Sequence, residues 1–298
     1  MKIFLLGSKG RLGSECLKVL SEDWEVVAPD RKELDIIRWD AVIEGIQVEA
    51  PDVVINCAAL TDVDACEKED PFVIRKNNVE GPRNLAQGCA RFNSKFIHLS
   101  SDYIFSGKKP MPQPYFEDDP ADPISAYGKS KMESEVAVRE NAPNYVIVRS
   151  GWLYGLTGRD FIKSIISGAL EMKKKKKPLR IVDDQFGSPT WCYRLAEQIK
   201  QLIIHDAKQT YHATAEGYCS RFEYTEYVLK KLKIKVKLEP CSTEDYPREA
   251  RRPLNCLLEN RLLKKQGINI MPEWKKDVDE FLNQYGKELV KQAKAAKG

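Results

Sequence analysis

The sequence contains few histidines, and its eight cysteines are scattered along the chain. Its three histidines, His98, His205 and His212, are not spaced as pairs of ligands, so nothing in the sequence indicates a zinc site. The eight cysteines include no pair separated by only two residues, whereas metal and disulfide frameworks use such tight patterns. We therefore expect free, largely buried thiols in a reducing compartment.

The chain also lacks long apolar runs and a dominant charge sign. No apolar run approaches the roughly 20 residues that span a bilayer, and Gly7, Lys9 and Arg11 interrupt the first one, unlike a signal peptide. The 48 basic and 44 acidic side chains give a net charge of +4. The basic run at 173–177 is predicted to be the exposed end of a helix that begins near Phe161. We expect a cytoplasmic protein with neither membrane nor nucleic-acid partners.

Short apolar runs alternate with helical patterns through the first half of the chain. At 298 residues and 42% hydrophobic content, the chain can form one large or two medium domains. The predicted strands span residues 2–7, 24–28, 53–59, 95–100 and 145–150, with helices near 38–49, 71–92 and 125–141 between them. This alternation predicts a doubly wound parallel sheet, which binds ligands beyond the carboxyl ends of its strands.

The pattern changes after residue 150. Loop-like segments there separate predicted helices near residues 190–205, 221–232 and 274–285, and the tail from Lys287 is predicted to be a frayed helix. A segment near 210–214 is expected to return to the sheet. We predict one domain over residues 1–150, to which elements near 190–214 return, and a second domain formed mainly by residues 151–298.

Three glycines lie between the first predicted strand and the first predicted helix. Gly7, Gly10 and Gly13 allow a tight turn and a close approach of the backbone to a pyrophosphate, which the helix amide groups then bind. Their spacing is three and three, whereas the more familiar dinucleotide fingerprint has two and three. After the second predicted strand, Asp30 can accept a hydrogen bond from the ribose of NAD, and Arg31 can pair with the 2′-phosphate of NADP. The first domain is thus predicted to bind a dinucleotide of either kind.

A tyrosine and a lysine four positions apart carry the clearest chemical signal. On a helix, Tyr127 and Lys131 lie on one face, about one turn apart. A free tyrosine has a pKa of about 10, and a nearby cation stabilises the phenolate, so the group can give up and recover a proton. We therefore expect Lys131 to lower the pKa of Tyr127. Together with the dinucleotide turn, this pair indicates a reductase.

These features resemble the extended short-chain dehydrogenase/reductase superfamily and, more narrowly, the dTDP-4-dehydrorhamnose reductase family. The matching segments cover most of the chain in the family's order: LGSKGRLGSE (6–15), ELDI (33–36), NCAALTDVDACE (56–67), NVEGPRNLA (78–86), HLSSDYIFSG (98–107), AYGKSKMESE (126–135), RSGWLYG (149–155), DDQFGSPT (183–190) and ARRP (250–253). We therefore predict an α/β fold, a Rossmann-type doubly wound parallel sheet with a smaller, interleaved C-terminal substrate domain.

The resemblance implies reduction of the C4 ketone of a nucleotide-linked 4-keto-6-deoxy sugar. The favoured reaction is the conversion of dTDP-4-dehydrorhamnose to dTDP-L-rhamnose. We favour NADPH for a biosynthetic reduction, with NADH as an alternative. The family's catalytic set carries over to Ser101, Tyr127 and Lys131. Ser101 would orient the ketone, Tyr127 would supply the proton, and Lys131 would hold the nicotinamide ribose. The family usually has threonine at the position of Ser101, and either residue supplies a hydroxyl group.

Further binding residues carry over from the family. Those expected to bind the cofactor are Gly10, Arg11 and Leu12 at the pyrophosphate, Asp35 and Ile36 at the adenine, and Ala59, Leu60 and Thr61 at the nicotinamide. Those expected to bind the substrate are Ser101, Asp102, Trp152 and Arg252. The guanidinium fork of Arg252 fits the oxygens of a diphosphate.

Some members of the family bind Mg²⁺ at a subunit contact, which bears on the metal content of this chain. Glu15 matches the family's first acidic position. No second carboxylate stands near Trp191 to Arg194. We therefore expect no metal.

Two other functions remain open at this stage. The first is a non-catalytic NADP-binding subunit that resembles the regulatory β subunit of methionine adenosyltransferase, although Ser101, Tyr127 and Lys131 argue against it. The second is a reductase or epimerase that acts on another nucleotide sugar, and net consumption of reduced cofactor would distinguish the two. The nucleotide base, the sugar stereochemistry and the oligomeric state, a homodimer included, are not determined by the sequence.

Overall fold

The centre of the computed structural model, which describes residues 1–295, is a parallel β-sheet. The strands in chain order are β1 Lys2–Leu6, β2 Glu25–Val27, β3 Val53–Asn56, β4 Lys95–Ser101, β5 Tyr145–Ser150, β6 Leu153–Tyr154, β7 Leu179–Val182, β8 Phe186–Gly187, β9 Thr190–Trp191, β10 Gln209–His212, β11 Cys219–Ser220 and β12 Leu238–Cys241. Six of them form the main sheet in the order β10-β5-β4-β3-β1-β2, and every neighbouring pair is parallel. The strand order reverses between β1 and β3, where doubly wound sheets bind their ligands.

Eleven α-helices in the described chain surround and extend this sheet. They are α1 Arg11–Leu20, α2 Trp39–Glu49, α3 Val63–Lys68, α4 Pro71–Arg75, α5 Gly81–Phe92, α6 Ala126–Asn141, α7 Phe161–Lys175, α8 Cys192–Ile204, α9 Arg221–Lys231, α10 Arg261–Lys265 and α11 Trp274–Ala295. A π-helical turn, Lys76–Glu80, joins α4 to α5, and a 3₁₀ turn, Asp102–Ile104, follows β4. The helix predicted over 71–92 is therefore two α-helices and a π turn.

The predicted fold class is confirmed, because helices cover both faces of the sheet. Ile3 and Leu5 of β1 face a core that includes residues of α1 and α8, whereas Phe4 and Leu6 face a core that includes residues of α2 and α5. A strand buried on both faces is a continuous apolar run, which is why these strands are visible in the sequence.

The segment after residue 150 builds a second hydrophobic core and also completes the first. The second core contains several buried aromatic side chains, including Tyr154, Trp191, Tyr224 and Phe281. The predicted return to the sheet is confirmed, because β10 pairs with β5 and residues of α8 lie in the core beside α1.

The predictions for two helix ends differ in outcome. The basic run at 173–177 lies at the end of α7, as predicted. The last helix, predicted to end near residue 285, continues to Ala295, so most of the predicted frayed tail from Lys287 belongs to α11. Residues 296–298 lie outside the described chain. In residues 1–295, no helix has the length and apolar content that crossing a membrane requires.

Candidate active site

The glycine turn after β1 leaves no room for a side chain at Gly7 or at Gly13. Gly7 has φ of +81°, and a Cβ atom there would lie 2.6 Å from the backbone nitrogen of Ala58. A Cβ atom at Gly13 would lie 2.1 Å from the carbonyl oxygen of Gly7. Gly10 precedes α1 in an extended conformation, and no side chain caps the helix. The first amide groups of α1 are therefore suited to bind an anion such as a pyrophosphate.

A cavity of about 290 Å³ opens beside this turn, at the ends of β1, β2 and β3. The predicted residues that line it are Gly7, Gly10, Asp30, Arg31, Asp35, Ile36, Ala59 and Leu60. Ser8, Lys9 and Asn77 also line it and were not predicted. Lys9 lies within the glycine pattern, so its position in the sequence was a signal that could have identified it.

The charged side chains that line this cavity near the end of β2 form ion pairs with one another. The Lys9 Nζ lies 2.7 Å from Oδ2 of Asp30, and the Arg31 Nε lies 3.3 Å from Oδ2 of Asp35. The hydrogen bond from Lys9, with others from backbone amides, lowers the pKa of Asp30 to about 2. Asp30 is therefore ionised and already accepts hydrogen bonds from Lys9 and from backbone amides. The cations Lys9 and Arg31 lie beside it.

A larger cavity of about 790 Å³ continues from the glycine turn to the second half of the chain. The predicted residues that line it are Gly10, Arg11, Leu12, Gly13, Ala59, Thr61, Ser101, Asp102, Tyr127, Lys131, Trp152 and Arg252. Gly10 and Ala59 line both cavities, so the two adjoin. The structure thus brings all the predicted site residues to two adjoining cavities, while their individual roles stay predictions.

The three predicted catalytic residues meet at the end of β4 and the start of α6. Ser125 caps α6, because its Oγ accepts the amide hydrogen of Gly128 at 3.1 Å. A Cβ atom at Gly128 would lie 2.2 Å from the carbonyl oxygen of Tyr103, so glycine is needed there. This close approach brings the first turn of α6, which carries Tyr127, against the segment that follows Ser101.

The phenol of Tyr127 is buried, and its surroundings differ from the prediction. Burial raises the pKa of Tyr127 well above its usual value, and a hydrogen bond with Ser101 only partly opposes this shift. The Lys131 Nζ lies instead 3.3 Å from Nε2 of His98. The prediction that Lys131 lowers the pKa of Tyr127 is therefore wrong for this structure, since burial outweighs any such effect. The phenol is protonated near neutral pH and retains a proton to donate.

Lys131 is also buried, and burial lowers the pKa of its ammonium group to about 8. Glu135 and Cys57 oppose this shift. The charged and neutral forms of the lysine are thus equally populated near pH 8.

Asp102 adds a second titratable group to the cavity. Its Oδ1 accepts a hydrogen bond from the Ser101 hydroxyl at 2.9 Å, and its Oδ2 is buried without a partner among residues 1–295. Burial raises the pKa of Asp102 to about 6, although Ser101 and Arg221 oppose the shift. A Cβ atom at Gly151 would lie 2.1 Å from Oδ2, so glycine at 151 makes room for this carboxyl group.

An arginine that was not predicted stacks on the predicted substrate residue Trp152. Trp152 has a left-handed backbone, with φ of 49°. The guanidinium carbon of Arg221 lies 3.4 Å from the ring centre of Trp152. The same carbon lies 4.5 Å from the ring centre of Phe161. In the sequence, Arg221 has no signal of its own, because its environment is created by residues 60 or more positions away.

A third cavity of about 320 Å³ adjoins the large one and is rich in arginine. Arg180, Arg221, Arg248 and Arg252 line it together with two tyrosines. Arg252 pairs with Asp64 at 2.7 Å through Nη2, and its Nη1 is buried without a partner in the described chain. Four guanidinium groups around one cavity suit a ligand that carries phosphate groups.

The structure gives no indication of a metal centre within residues 1–295, where no three His, Cys, Asp or Glu side chains are grouped to hold an ion. Glu15, the predicted match to the family's acidic position, is buried in α1.

Known proteins match the chain over nearly its whole length. Relatives include the spore coat polysaccharide biosynthesis protein SpsK of Bacillus subtilis, 33% identical over 95% of this chain and 97% of its own. The dTDP-4-dehydrorhamnose reductase of Escherichia coli is 30% identical over 95% of this chain and 98% of its own.

Solved structures of dTDP-4-dehydrorhamnose reductases from other organisms share the fold of this chain. The dTDP-4-dehydrorhamnose reductase of Clostridium acetobutylicum superposes with a TM-score of 0.90 at 36% identity, covering 96% of this chain and 100% of that one. The Bacillus anthracis enzyme, solved in complex with NADP, gives a TM-score of 0.89 at 33% identity and covers 95% and 99%. The model of the RmlD substrate binding domain family matches residues 1–287. The predicted resemblance is confirmed, and the chain belongs to the RmlD substrate binding domain family.

Proposed function

We propose that this protein is an NADPH-dependent reductase of the C4 ketone of a nucleotide-linked 4-keto-6-deoxy sugar, with dTDP-4-dehydrorhamnose as the substrate and dTDP-L-rhamnose as the product. One observation carries the proposal: Ser101, Tyr127 and Lys131 line the cavity that joins the glycine turn to the arginine-rich cavity. The relatives at about 30% identity that are named for this reaction support it.

The residues at the glycine turn fit a dinucleotide. The backbone at Gly7 and Gly13 leaves no room for a Cβ atom, and the start of α1 offers amide groups to a pyrophosphate. Lys9 and Arg31 would bind the 2′-phosphate, which NADPH has and NADH lacks, so these cations favour NADPH. When bound, the nicotinamide supplies the hydride.

The chain's own groups then act on the ketone oxygen. Tyr127 donates its proton to that oxygen as negative charge develops there, and this hydrogen bond strengthens in the transition state. Ser101 orients the oxygen, and its single hydroxyl hydrogen is shared between the substrate and Asp102. Lys131 holds the nicotinamide ribose.

The arginine-rich cavity would hold the nucleotide diphosphate of the substrate. Nη2 of Arg252 pairs with Asp64, and its Nη1 is buried without a partner in residues 1–295. Nη1 can therefore donate a hydrogen bond to a phosphate oxygen without first breaking the ion pair. Arg221, stacked on Trp152, lines both this cavity and the large one, and thus links the diphosphate end to the reacting sugar.

A substrate panel tests the proposal. The protein is offered dTDP-, UDP- and GDP-linked 4-keto-6-deoxy sugars with NADPH or NADH, and the loss of reduced-nicotinamide absorbance is followed. We expect net oxidation of NADPH with the dTDP sugar. An epimerase would convert the sugar without net oxidation, and a regulatory subunit would bind NADPH and oxidise none of it; either result would refute the proposal.

Three broader predictions accompany this function. We propose a homodimer in a cytoplasmic location, which light scattering and cell fractionation would test. The division into a dinucleotide-binding domain over 1–150 and a mainly substrate-binding domain over 151–298 also stays a prediction. The position of β10 beside β5 supports an interleaved rather than a sequential arrangement.

A further inference from the structure

A buried histidine lies directly against the predicted catalytic lysine and has no part in the chemistry described above. His98, in the middle of β4, is completely buried. Its Nδ1 lies 3.3 Å from Nδ2 of Asn56, and its Nε2 lies 3.0 Å from Oγ of Ser134. The same Nε2 lies 3.3 Å from Nζ of Lys131. Which of these contacts are hydrogen bonds depends on where the ring carries its hydrogen.

The hydrogen bonds of Asn56 assign that position. The Oδ1 of Asn56 accepts the amide hydrogen of Ala58 at 3.0 Å, which fixes the orientation of the carboxamide. Its Nδ2 group, a donor only, therefore faces Nδ1 of His98. Nδ1 must then present a lone pair, so in the neutral ring the hydrogen lies on Nε2.

Ser134 provides the matching acceptor on the other side of the ring. Its hydroxyl group donates to the carbonyl oxygen of Lys131 at 2.7 Å, and its oxygen lone pairs are left to accept from Nε2 of His98. Burial, reinforced by the charge of Lys131, holds the pKa of His98 well below its usual range, so the ring is neutral. The groups that face it are Asn56, Ser134 and Lys131, and only the lysine is charged.

The ammonium group of Lys131 consequently faces a ring nitrogen that has no free lone pair. In residues 1–295, Nε2 of His98 is the polar atom within hydrogen-bond distance of Nζ. With the hydrogen on Nε2, that atom cannot accept a hydrogen bond. The opposite tautomer would place a lone pair there, and Lys131 would donate a hydrogen bond to Nε2 of His98.

We infer that His98 is a positioning residue: its Nε2 carries a hydrogen that is donated to Ser134 and so offers Lys131 no lone pair, which keeps the three ammonium hydrogens available to the ribose hydroxyl groups of the dinucleotide. This inference rests on the role of Lys131 in the proposed function. It assigns a purpose to Asn56 and Ser134 as well, since both hold the histidine in the required tautomer.

Nitrogen-15 chemical shifts of the histidine rings test the tautomer directly. The protein has only three histidines, so the spectrum of a His98→Gln variant identifies the signals of His98. In the wild-type protein, we expect one ring nitrogen with a hydrogen, assigned to Nε2, and no titration between about pH 6 and pH 9. A hydrogen on Nδ1, or a doubly protonated ring, would overturn the inference whether or not the protein reduces any sugar.

An Asn56→Asp variant tests the consequence for the cofactor. A carboxylate accepts both from the amide of Ala58 and from Nδ1 of His98. The hydrogen should therefore move from Nε2 to Nδ1, because the nearby ammonium of Lys131 opposes the positive charge that a doubly protonated ring would carry. Nε2 then competes with the ribose for the lysine. We expect the Kd for NADPH to rise about tenfold, the equivalent of one charge-assisted hydrogen bond.

The same substitution in the His98→Gln background provides the control, since glutamine has no tautomers. There, we expect Asn56→Asp to change the Kd for NADPH by less than about threefold, as a double-mutant cycle would show for coupled residues. An equal loss in both backgrounds would contradict the role of His98. A wild-type protein that does not bind NADPH would instead refute the proposed function, while the tautomer measurement would still stand on its own.

Discussion

Ser101 donates its hydroxyl hydrogen to Asp102 across 2.9 Å, which ties the first residue of the catalytic set to a carboxyl group whose pKa is about 6. The other oxygen of Asp102 is buried without a partner in residues 1–295. An ionised carboxylate draws the hydrogen of Ser101 toward itself, and a neutral carboxyl group draws it less strongly. The orientation of the Ser101 hydroxyl should therefore change with pH near 6.

The first prediction concerns the effect of this carboxyl group on stability. The pKa of Asp102 is raised from 3.8 to about 6 on folding, so the folded state binds its proton more tightly than the unfolded state does. The stability that this proton contributes is present below pH 3.8 and is lost as the pH rises through 6. We expect Asp102→Asn to be more stable than the wild type at pH 8 by on the order of 2–3 kcal/mol. Urea unfolding at pH 5 and pH 8 measures the difference.

The control for this prediction is an exposed carboxylate. Asp122 pairs with Lys108 on the surface at 3.2 Å. Asp122→Asn should change the free energy of unfolding by less than about 1 kcal/mol at both pH values. A stability difference between Asp102→Asn and wild type that does not grow with pH would contradict the assignment.

The second prediction concerns Tyr127 as the proton donor. Because its pKa is raised, the phenol holds its proton across the neutral range. Tyr127→Phe removes only the hydroxyl group that donates this proton and keeps the aromatic ring. We expect the reduction rate to fall roughly 10²- to 10⁴-fold with little change in the Kd for NADPH. Tyr211→Phe is a matched control, since this buried phenol on β10 donates to Oε1 of Gln266 and does not line the cavity. Wild-type turnover by Tyr127→Phe would be fatal to the mechanism.

The third prediction concerns the choice of cofactor. Lys9 and Arg31 lie at the end of the cavity where the 2′-phosphate of NADPH would bind. We expect either Lys9→Ala or Arg31→Ala to raise the Kd for NADPH about tenfold and to leave that for NADH nearly unchanged. Lys32→Ala, at an exposed neighbouring position, is the control and should alter neither. Equal losses for both cofactors would refute the proposed roles.

The fourth prediction concerns proton uptake by Lys131. Its pKa is about 8 in the protein alone, and hydrogen bonds to ribose oxygens would favour the charged form and raise that pKa. NADPH binding at pH 8 should therefore take up a fraction of a proton, and affinity should fall as the pH rises above 8. Calorimetry in buffers with different ionisation enthalpies measures the uptake, and Lys131→Met should abolish it. Proton release on binding would contradict the prediction.

The strands and the glycine turn were predictable from the sequence because each depends on local information. A buried parallel strand is a continuous apolar run, and glycine at Gly7 and Gly13 is required by atoms within the turn and the adjacent strand. The π turn could not be predicted in the same way. It places Asn78 where its side chain bonds to both the amide and the carbonyl group of Leu60, 18 positions away.

The electrostatics of the site were the least predictable part. Spacing placed Tyr127 and Lys131 on one helix face, but their pKa values depend on burial by distant elements, and burial reversed the expected shift of the phenol. Arg221 likewise acquires its place only when Trp152 and Phe161 fold around it. Such environments are created by tertiary packing and leave no mark at the residue's own position.

The last prediction concerns the loop at the mouth of the large cavity, which one ammonium group holds together. The Nζ of Lys163 lies 2.7 Å, 2.8 Å and 2.7 Å from the carbonyl oxygens of Gly155, Leu156 and Gly158, and 3.0 Å from Oδ2 of Asp160. The side chain of Asp160 is fully buried. Removal of the ammonium group would leave this carboxylate without its cation, which is strongly destabilising for a buried pair.

We therefore expect Lys163→Met to open the loop. Arg159, which is exposed within it, offers a trypsin site, so cleavage after Arg159 should accelerate at least about tenfold if opening becomes easier by 1.4 kcal/mol or more. Mass spectrometry of the fragments measures the rate. Lys175→Met, which removes an exposed ammonium group from the end of the same helix, should leave the rate unchanged. Equal cleavage of the wild type and both variants would mean that Lys163 does not hold the loop closed.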